Sequence, residues 1–298
     1  MTTDGVSTAS ARPAGAAPRP RDGTAPPVSV MIFTYNEEIH LPSCLASVTW
    51  CDDVIVVDSF STDATERIAR DWGARFFQHP FAGFGSQRNW ALDHTTPRYD
   101  WVLVLDADER VPPEMVAELR TALGGDVGTV GAFRVRRRFY MWGRWLRHSS
   151  LYPNWVVRLV HRDRVRYVDR GHAETQNVDG EIRPLATDLV DENLRGIDEW
   201  FARQNRYARK EAEYELAHER EPWRLGDLLS GDPLRRRALL KRVAWRLPGR
   251  PLAYFVYSYL ARGGCRDGRD GLVFCAMKAV YQAMIVVKKY DARRAGRG

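Results

Sequence analysis

Three short β-branched runs, each ending in a polar and acidic cluster, constrain this chain more than any other feature of it. Residues 28–33 read Val-Ser-Val-Met-Ile-Phe and run into Thr34-Tyr-Asn-Glu-Glu38. Residues 53–57 read Asp-Val-Ile-Val-Val and stop at Asp58, and residues 101–105 read Trp-Val-Leu-Val-Leu and stop at Asp106. Apolar runs this short and continuous suit strands covered on both faces. Stretches with helical spacing separate them at 39–48, 61–72 and 87–94, and a further short strand is expected at 74–77. Asp63, three residues before Glu66, suggests a capping box at the start of the second helix. Such alternation predicts parallel α/β units. Sheets of this kind gather ligands at the carboxyl ends of their strands, so the three polar clusters are expected to converge on one edge.

Asp106-Ala-Asp108 follows the third run directly. Two carboxylates two residues apart lean to the same side of an extended segment. That pair suits a hard divalent ion, Mg²⁺ or Mn²⁺, which takes oxygen ligands and bridges protein carboxylates to phosphates. A plain helix cap is the structural alternative, because Pro112-Pro-Glu-Met-Val begins a helix just downstream.

Taken in order, these motifs resemble the family-2 inverting glycosyltransferases over about residues 28–110. More narrowly, the chain is similar to the branch containing lipopolysaccharide-core β-glucosyltransferases. That match rests on Gln87-Arg-Asn-Trp-Ala91, on Tyr152-Pro-Asn154 leading to Arg158-Leu159, and on Gly268-Arg-Asp-Gly-Leu272. The resemblance implies a GT-A-like nucleotide-diphospho-sugar transferase fold, a mostly parallel sheet flanked by helices, with a helical C-terminal extension. It implies that Thr34, Tyr35 and Glu37 line a nucleotide pocket and that Asp58 accepts a hydrogen bond from the uracil imide. It also implies that Arg88 supplies a cation near the diphosphate, and that Asp106 and Asp108 hold the metal. The general base falls on Glu174 in Gly171-His-Ala-Glu-Thr175, where the family places His directly before Glu. Ala173 intervenes here, so His172 is the other candidate.

Between about residues 131 and 170, arginines and aromatics interleave. Aromatic faces stack on sugars and guanidinium groups clamp anionic oxygens, so Arg147, His148, Tyr152 and Arg158 are expected to bind a saccharide or lipid-linked glycan acceptor. Simple strand alternation, aromatics in and arginines out, accounts for the same text in part. Single-stranded nucleic acid would also suit such a segment, but no nucleic-acid module is recognisable.

Residues 196–220 have amphipathic helical spacing, and the arginine-rich stretch 235–247 reads as a basic amphipathic helix suited to an anionic membrane surface. Residues 272–287 are apolar except for Lys278 and Gln282, which with Lys289 mark one narrow polar stripe. The expected organisation is therefore a disordered tail over 1–27, a catalytic domain over 28–195 and a helical extension over 196–298. Within the catalytic domain, 28–125 is the nucleotide-sugar half and 126–195 the acceptor half. The tail lacks the apolar core of a secretory signal. Four scattered cysteines without a C-x-x-C pair suit a reducing cytoplasm, and a formal charge of +7 suits an anionic partner. The expected place is the inner face of the cytoplasmic membrane.

Other classes fit less well. A haloacid-dehalogenase phosphatase also starts from Asp-x-Asp, but after its first strand and with Thr or Val where Arg110 stands here. A dinucleotide oxidoreductase needs a glycine-rich turn that Thr34–Glu38 lacks. A nucleotide-sugar-binding protein without catalysis needs Asp58 and the metal pair but no base.

Overall fold

A computed structural model describes residues 25–170, 173–219, 245 and 249–296. His172, residues 1–24 of the expected tail and all of the basic stretch 235–247 except Trp245 lie outside the described residues. The chain divides into two compact units: the first ends at Leu194, and the second contains the chain from Arg195 together with Leu146–Leu151.

The first unit is built on a nine-stranded sheet. In chain order its elements are β1 (Val28–Thr34), α1 (Leu41–Ser47), β2 (Val54–Asp58), α2 (Thr65–Asp71), β3 (Arg75–Gln78), α3 (Phe84–His94), β4 (Trp101–Asp106), β5 (Glu109–Arg110) and α4 (Pro113–Leu123). After them come β6 (Val130–Met141), β7 (Arg144–Trp145), β8 (Asn154–His161), β9 (Val165–Arg170), β10 (Ala173–Val178) and β11 (Glu181–Asn193). The sheet order is β3-β2-β1-β4-β8-β6-β11-β5, with β7 on β6, while β9 and β10 form a separate ribbon. Pairing is parallel from β3 to β4 and again between β6 and β11; β8 lies antiparallel between β4 and β6. The α/β class and the C-terminal helices expected from the sequence are both present.

Strand alternation splits the core into two layers. Val28, Val30 and Ile32 of β1 pack with Leu41 and Leu45 of α1, Ala69 of α2, and Met115 and Leu119 of α4. Met31, from the same strand, packs on the opposite face with Val57, Val104, Ala91 and Leu92, under α3 and β9. Each such aliphatic side chain contributes about 1.5–3 kcal/mol when fully buried. Registers of Thr34 with Asp58 and of Phe33 with Asp106 bring the carboxyl ends of β1, β2 and β4 level.

One local expectation fails. Helix α2 starts at Thr65, where Asp63 accepts hydrogen bonds from the Thr65 amide (3.0 Å) and hydroxyl (2.5 Å). Glu66 bonds Arg70 one turn on (2.9 Å) instead of reaching back, so no capping box forms.

In the second unit, α5 (Ile197–His218), α6 (Arg250–Val256), a π-helical turn (Tyr257–Ala261), a 3-10 turn (Gly264–Asp267) and α7 (Gly268–Ala295) follow one another. A Cβ at Gly271 would lie 2.2 Å from the Gly264 carbonyl, which explains the glycine there. Glu215 of α5 is buried and accepts bonds from Arg250 (2.7 and 2.9 Å) and Lys289 (3.0 Å), while Arg250 also bonds Gln282 (2.6 Å). The stripe marked by Gln282 and Lys289 therefore faces the interior of this unit. Leu272, Val273, Val280, Val287 and Tyr290 are exposed instead.

Candidate active site

The loop after β1 is fastened to the loop after β2 by its own backbone. The amides of Asn36, Glu37 and Glu38 donate to Ser61 Oγ (2.7 Å), Thr65 Oγ1 (2.8 Å) and Asp63 Oδ2 (3.1 Å). Asn36 takes a positive φ of 53°, which asparagine tolerates, and its side-chain oxygen accepts from the Thr62 amide at 2.8 Å. This lacing leaves Tyr35 58% exposed at the strand edge. Glu37 turns back to His40 Nδ1 (2.7 Å). Asp58 is fully buried and accepts from Thr34 Oγ1 (2.8 Å), the Ser61 amide (2.8 Å) and Ser61 Oγ (2.5 Å). Gln78 Nε2 also donates to Asp58 at 3.4 Å, so a ligand reaching this carboxylate must displace one of four donors.

Helix α3 ties four strands together through three successive side chains. Gln87 donates to Ser59 Oγ beyond β2 (2.7 Å). Arg88 reaches Asp106 at the end of β4 (2.8 Å) and Glu174 on β10 (2.8 Å). Asn89 pairs both ways with the backbone of Tyr167 on β9 (2.8 and 2.9 Å). Asp169, also from β9, accepts from the amides of Gly85 (2.7 Å) and Ser86 (3.2 Å) and so caps α3 from outside. Gly85 allows the approach, since a Cβ there would sit 3.0 Å from the Asp169 amide nitrogen.

From Arg88 a chain of alternating charges crosses the strand ends. Asp106 Oδ1 bonds Arg88 and Asp106 Oδ2 bonds Arg158 (2.5 Å); Arg158 also holds Glu109 (2.7 Å). Arg137 of β6 lies 3.5 Å from Glu109 and 3.3 Å from Asp191 of β11. Burial would raise Asp106, but the guanidinium groups of Arg158, Arg88 and Arg137 hold it far below the usual carboxylate range. Arg158 is pushed well up, because its carboxylate partners Asp106 and Glu109 outweigh its burial. Among the described residues no such cation pairs with Asp108. Its burial, and then Asp191, Asp106, Glu109 and Glu37, drive its carboxyl well above the ordinary value. Two polar atoms beside this chain, Arg88 Nε and Tyr167 Oη, are buried without a hydrogen-bond partner among the described residues. The Arg88 guanidinium lies over the Tyr167 ring at 5.7 Å, and burial raises the Tyr167 hydroxyl to about 12.

Asp106, Arg88, Glu174 and Arg158 thus meet, with Asp108 close by. Asp58 lies two strands from Asp106 across β1, about 10 Å by interstrand spacing. Tyr152 sits apart from that chain, its hydroxyl on Asp188 (2.8 Å). Arg147 and His148 belong to the second unit, where Asp267 accepts from His148 Nδ1 and its amide (2.8 and 2.9 Å). Sequence reading gave no role to Asp191 and counted Arg137 only among the acceptor-side arginines. The available signal was Leu189-Val190-Asp191-Glu192, an apolar pair running into acid like the earlier strands.

Among the described residues no group of three or more His, Cys, Asp or Glu is arranged to hold a metal ion. Asp108 and Asp106 are a two-carboxylate set of the kind that completes its shell with phosphate and water. The excess of carboxylates around Asp108 fits an added cation.

The family model described as Glycosyl transferase family 2 matches residues 29–186. The lipopolysaccharide core biosynthesis glycosyltransferase LpsC of Rhizobium meliloti (strain 1021) is 27% identical over 285 residues, covering 89% of this chain and 92% of that protein. An uncharacterized glycosyltransferase of Rickettsia bellii (strain RML369-C) is 39% identical over 93 residues, 31% of each chain. Among solved structures, S. aureus TarS residues 1–349 in complex with UDP-GlcNAc is 15% identical, covering 90% of this chain and 92% of that one, with a TM-score of 0.43.

Proposed function

The chain belongs to glycosyl transferase family 2, and from that premise we propose that it moves a hexosyl unit from a UDP-type donor to a hydroxyl of an envelope or lipid-linked glycan, with inversion. One observation carries this reading: at the level ends of β1, β2 and β4, Asp108 stands among carboxylates with no guanidinium of its own among the described residues, beside an Asp106 already fixed by two arginines. Asp108 and Asp106 would hold a divalent cation, Mg²⁺ or Mn²⁺, which when bound offsets the charge of the departing diphosphate. Arg88 and Arg158 hold Asp106 in place, and the cation would offset the carboxylate excess that otherwise disfavours an anionic donor at the same edge. Tyr35, exposed on a tied-down loop, would cover the nucleotide base, with Thr34, Glu37 and Asp58 behind it. Base reading by Asp58 requires one of its donors to turn away, and Gln78, at 3.4 Å, makes the longest of these bonds.

Glu174 is proposed as the general base. Arg88 holds its Oε1 at 2.8 Å, and the side chain is 14% exposed, so the carboxylate is oriented but reachable. In-line attack then needs the acceptor hydroxyl within hydrogen-bond reach of Glu174. Two substitutions separate the roles. Glu174→Gln is expected to lower kcat by about a hundredfold or more, within the range attributed to general-base loss, with UDP affinity retained. Asp108→Asn is expected to abolish the dependence of UDP affinity on Mn²⁺. Wild-type turnover by both variants, measured as UDP release, would refute the proposal.

We further propose that the second unit rests on an anionic membrane surface from the cytoplasmic side. Residues Gly264–Ala295 are long and apolar enough to cross a bilayer by length and composition alone. Their buried side carries Gln282 and Lys289 against Arg250 and Glu215, charges that hydrocarbon would not accept. The exposed side favours lying in the interface.

A further inference from the structure

Strand β6 sends consecutive arginines to opposite faces of the sheet. Arg137 points to the acidic edge, whereas Arg134, Arg136 and Arg138 project to the other face. There Trp155 of β8, directly opposite Arg136 in the register, lies beneath two guanidinium groups: Arg134 at 4.9 Å and Arg136 at 5.4 Å. Arg138 covers Trp145 at 5.1 Å, and Trp145 meets the Tyr152 ring edge-on at 5.3 Å.

Asp188 organises this face. A register shift in β11 sets it opposite Arg136, where it is buried and accepts from Arg136 Nε (2.5 Å), Arg138 Nε (2.8 Å) and Tyr152 Oη (2.8 Å). Burial would raise this carboxyl, but its bonds to Arg138, Tyr152 and Arg136 hold it below the ordinary carboxylate range. One carboxylate among three guanidinium groups leaves an excess of positive charge. Arg134 and Trp155 are exposed, so the face is open as well as ordered. An exposed indole offers a flat surface to a sugar ring, and Arg138, held by its Nε, keeps its outer N–H groups in a fixed fork for an anionic oxygen, while Arg136 is anchored further by donating to the Ala186 carbonyl and contributes its charge.

We propose that Arg134, Arg136, Arg138 and Trp155 form a binding platform for an anionic saccharide, one with a phosphate or carboxylate beside the sugar ring, and that this platform holds the acceptor. The second half rests on the transferase reading above. The first half stands without it.

Calorimetric titration of the full chain tests both. The probes are glucose 6-phosphate, a glucuronate-terminated disaccharide, neutral maltose, inorganic phosphate and a short deoxyadenosine oligomer. At least one acidic saccharide is expected to bind about tenfold or more tightly than maltose and than inorganic phosphate, a gain of about 1.4 kcal/mol; whichever of the two is tighter identifies phosphate or carboxylate as the recognised group. Arg134→Ala and Trp155→Ala, both exposed positions, are each expected to weaken that binding about fivefold or more while UDP affinity with Mn²⁺ stays within about twofold, a difference under 0.5 kcal/mol. Equal affinity for maltose, or indifference to both substitutions, overturns the platform. Inorganic phosphate binding as tightly as the acidic saccharides means an adventitious ion only. Tighter, substitution-sensitive binding of the oligomer makes the face a nucleic-acid surface. Platform binding without any UDP binding by the wild type defeats the transferase reading and leaves the platform standing.

Discussion

Several separate interactions converge on Arg88. Its side chain is 3% exposed and bonds Asp106 through one terminal nitrogen and Glu174 through the other, while its face lies over Phe33 at 5.3 Å. A lysine there keeps the charge but presents a point where a fork is needed. Arg88→Lys is expected to lower kcat/KM by about 10–100-fold, or roughly 1.4–2.7 kcal/mol, with the loss larger in kcat than in UDP affinity; unchanged kinetics would show that the link between Asp106 and Glu174 is idle. At the opposite ends of the strands, Asp53 does structural work. It is buried and accepts from Ser29 Oγ (2.6 Å), the Arg98 amide (2.8 Å) and Arg75 (3.0 Å). Burial alone would raise it, but these bonds win and its carboxyl titrates below the ordinary value. A depressed folded pKa gives stability that is complete above the unfolded value of roughly 3.9 and disappears as pH falls through the folded one. Asp53→Asn is therefore expected to cost about 1–3 kcal/mol near neutral pH, and the gap from wild type should close as chemical denaturation is repeated from pH 5 down to about pH 2. A gap that stays constant across that range would mean that Asp53 acts through shape alone.

At the scale of elements, α3 shows how a helix can be held by its neighbours more than by its own sequence. Its first turn contains no acidic residue and its N-cap, Gly83, makes no side-chain cap. The cap comes from Asp169, 84 residues away from Gly85. Asp169→Ala is expected to destabilise the chain by about 1 kcal/mol, the usual worth of an N-cap, which in a unit of this size lowers Tm by roughly 2–4 °C; because Gln87 and Arg88 ride on the same helix, activity should fall further than the fraction folded. Full activity at full stability would show that water replaces the cap without loss. This bond also marks where sequence reading stopped. The strand ends were legible, because an apolar β-branched run that stops at Asp58 or Asp106 records both burial and its limit. Arg88 stood out for its place in Gln87-Arg-Asn. Asp169 and Asp188 were not legible, since their partners come from topology: one from the packing of β9 on α3, the other from a register shift in β11. Alternation along β6 was foreseen in general terms, but which arginine faced the acidic edge depended on which side chains of β6 were already committed to the core. The polar stripe on α7 is legible as a stripe, but the sequence gives it no direction, because Glu215 and Arg250, the charges it meets, lie elsewhere in the chain.

For the whole molecule, the two units use charge in different ways. In the first, acidic and basic groups alternate across the strand ends, and Asp108 is left among carboxylates without a cation from the described residues. In the second, one charged cluster is buried while large apolar side chains are exposed. Glu215 is fully buried and Lys289 nearly so, whereas Leu252, Leu260 and Val287 are each more than 60% exposed. On α7 the exposed residues Val273, Ala276, Val280, Val287 and Tyr290 recur every three, four or seven positions, one continuous apolar line along the helix. Water disfavours such a line, while the interface of a bilayer accepts it, and Lys288, Arg293 and Arg294 near its end add attraction to anionic headgroups. The full chain is therefore expected to float with vesicles containing anionic phospholipid at low salt, and to do so less in vesicles of neutral lipid alone. Val280→Asp with Val287→Asp places two charges on the exposed line and leaves the buried Glu215 cluster untouched. That variant should lose vesicle binding while its melting temperature stays within a few degrees of wild type, as surface changes usually cost under about 0.5 kcal/mol each. Undiminished flotation of the variant, or no flotation of the wild type, would assign the apolar line to a protein partner and leave the transfer chemistry of the first unit as it stands.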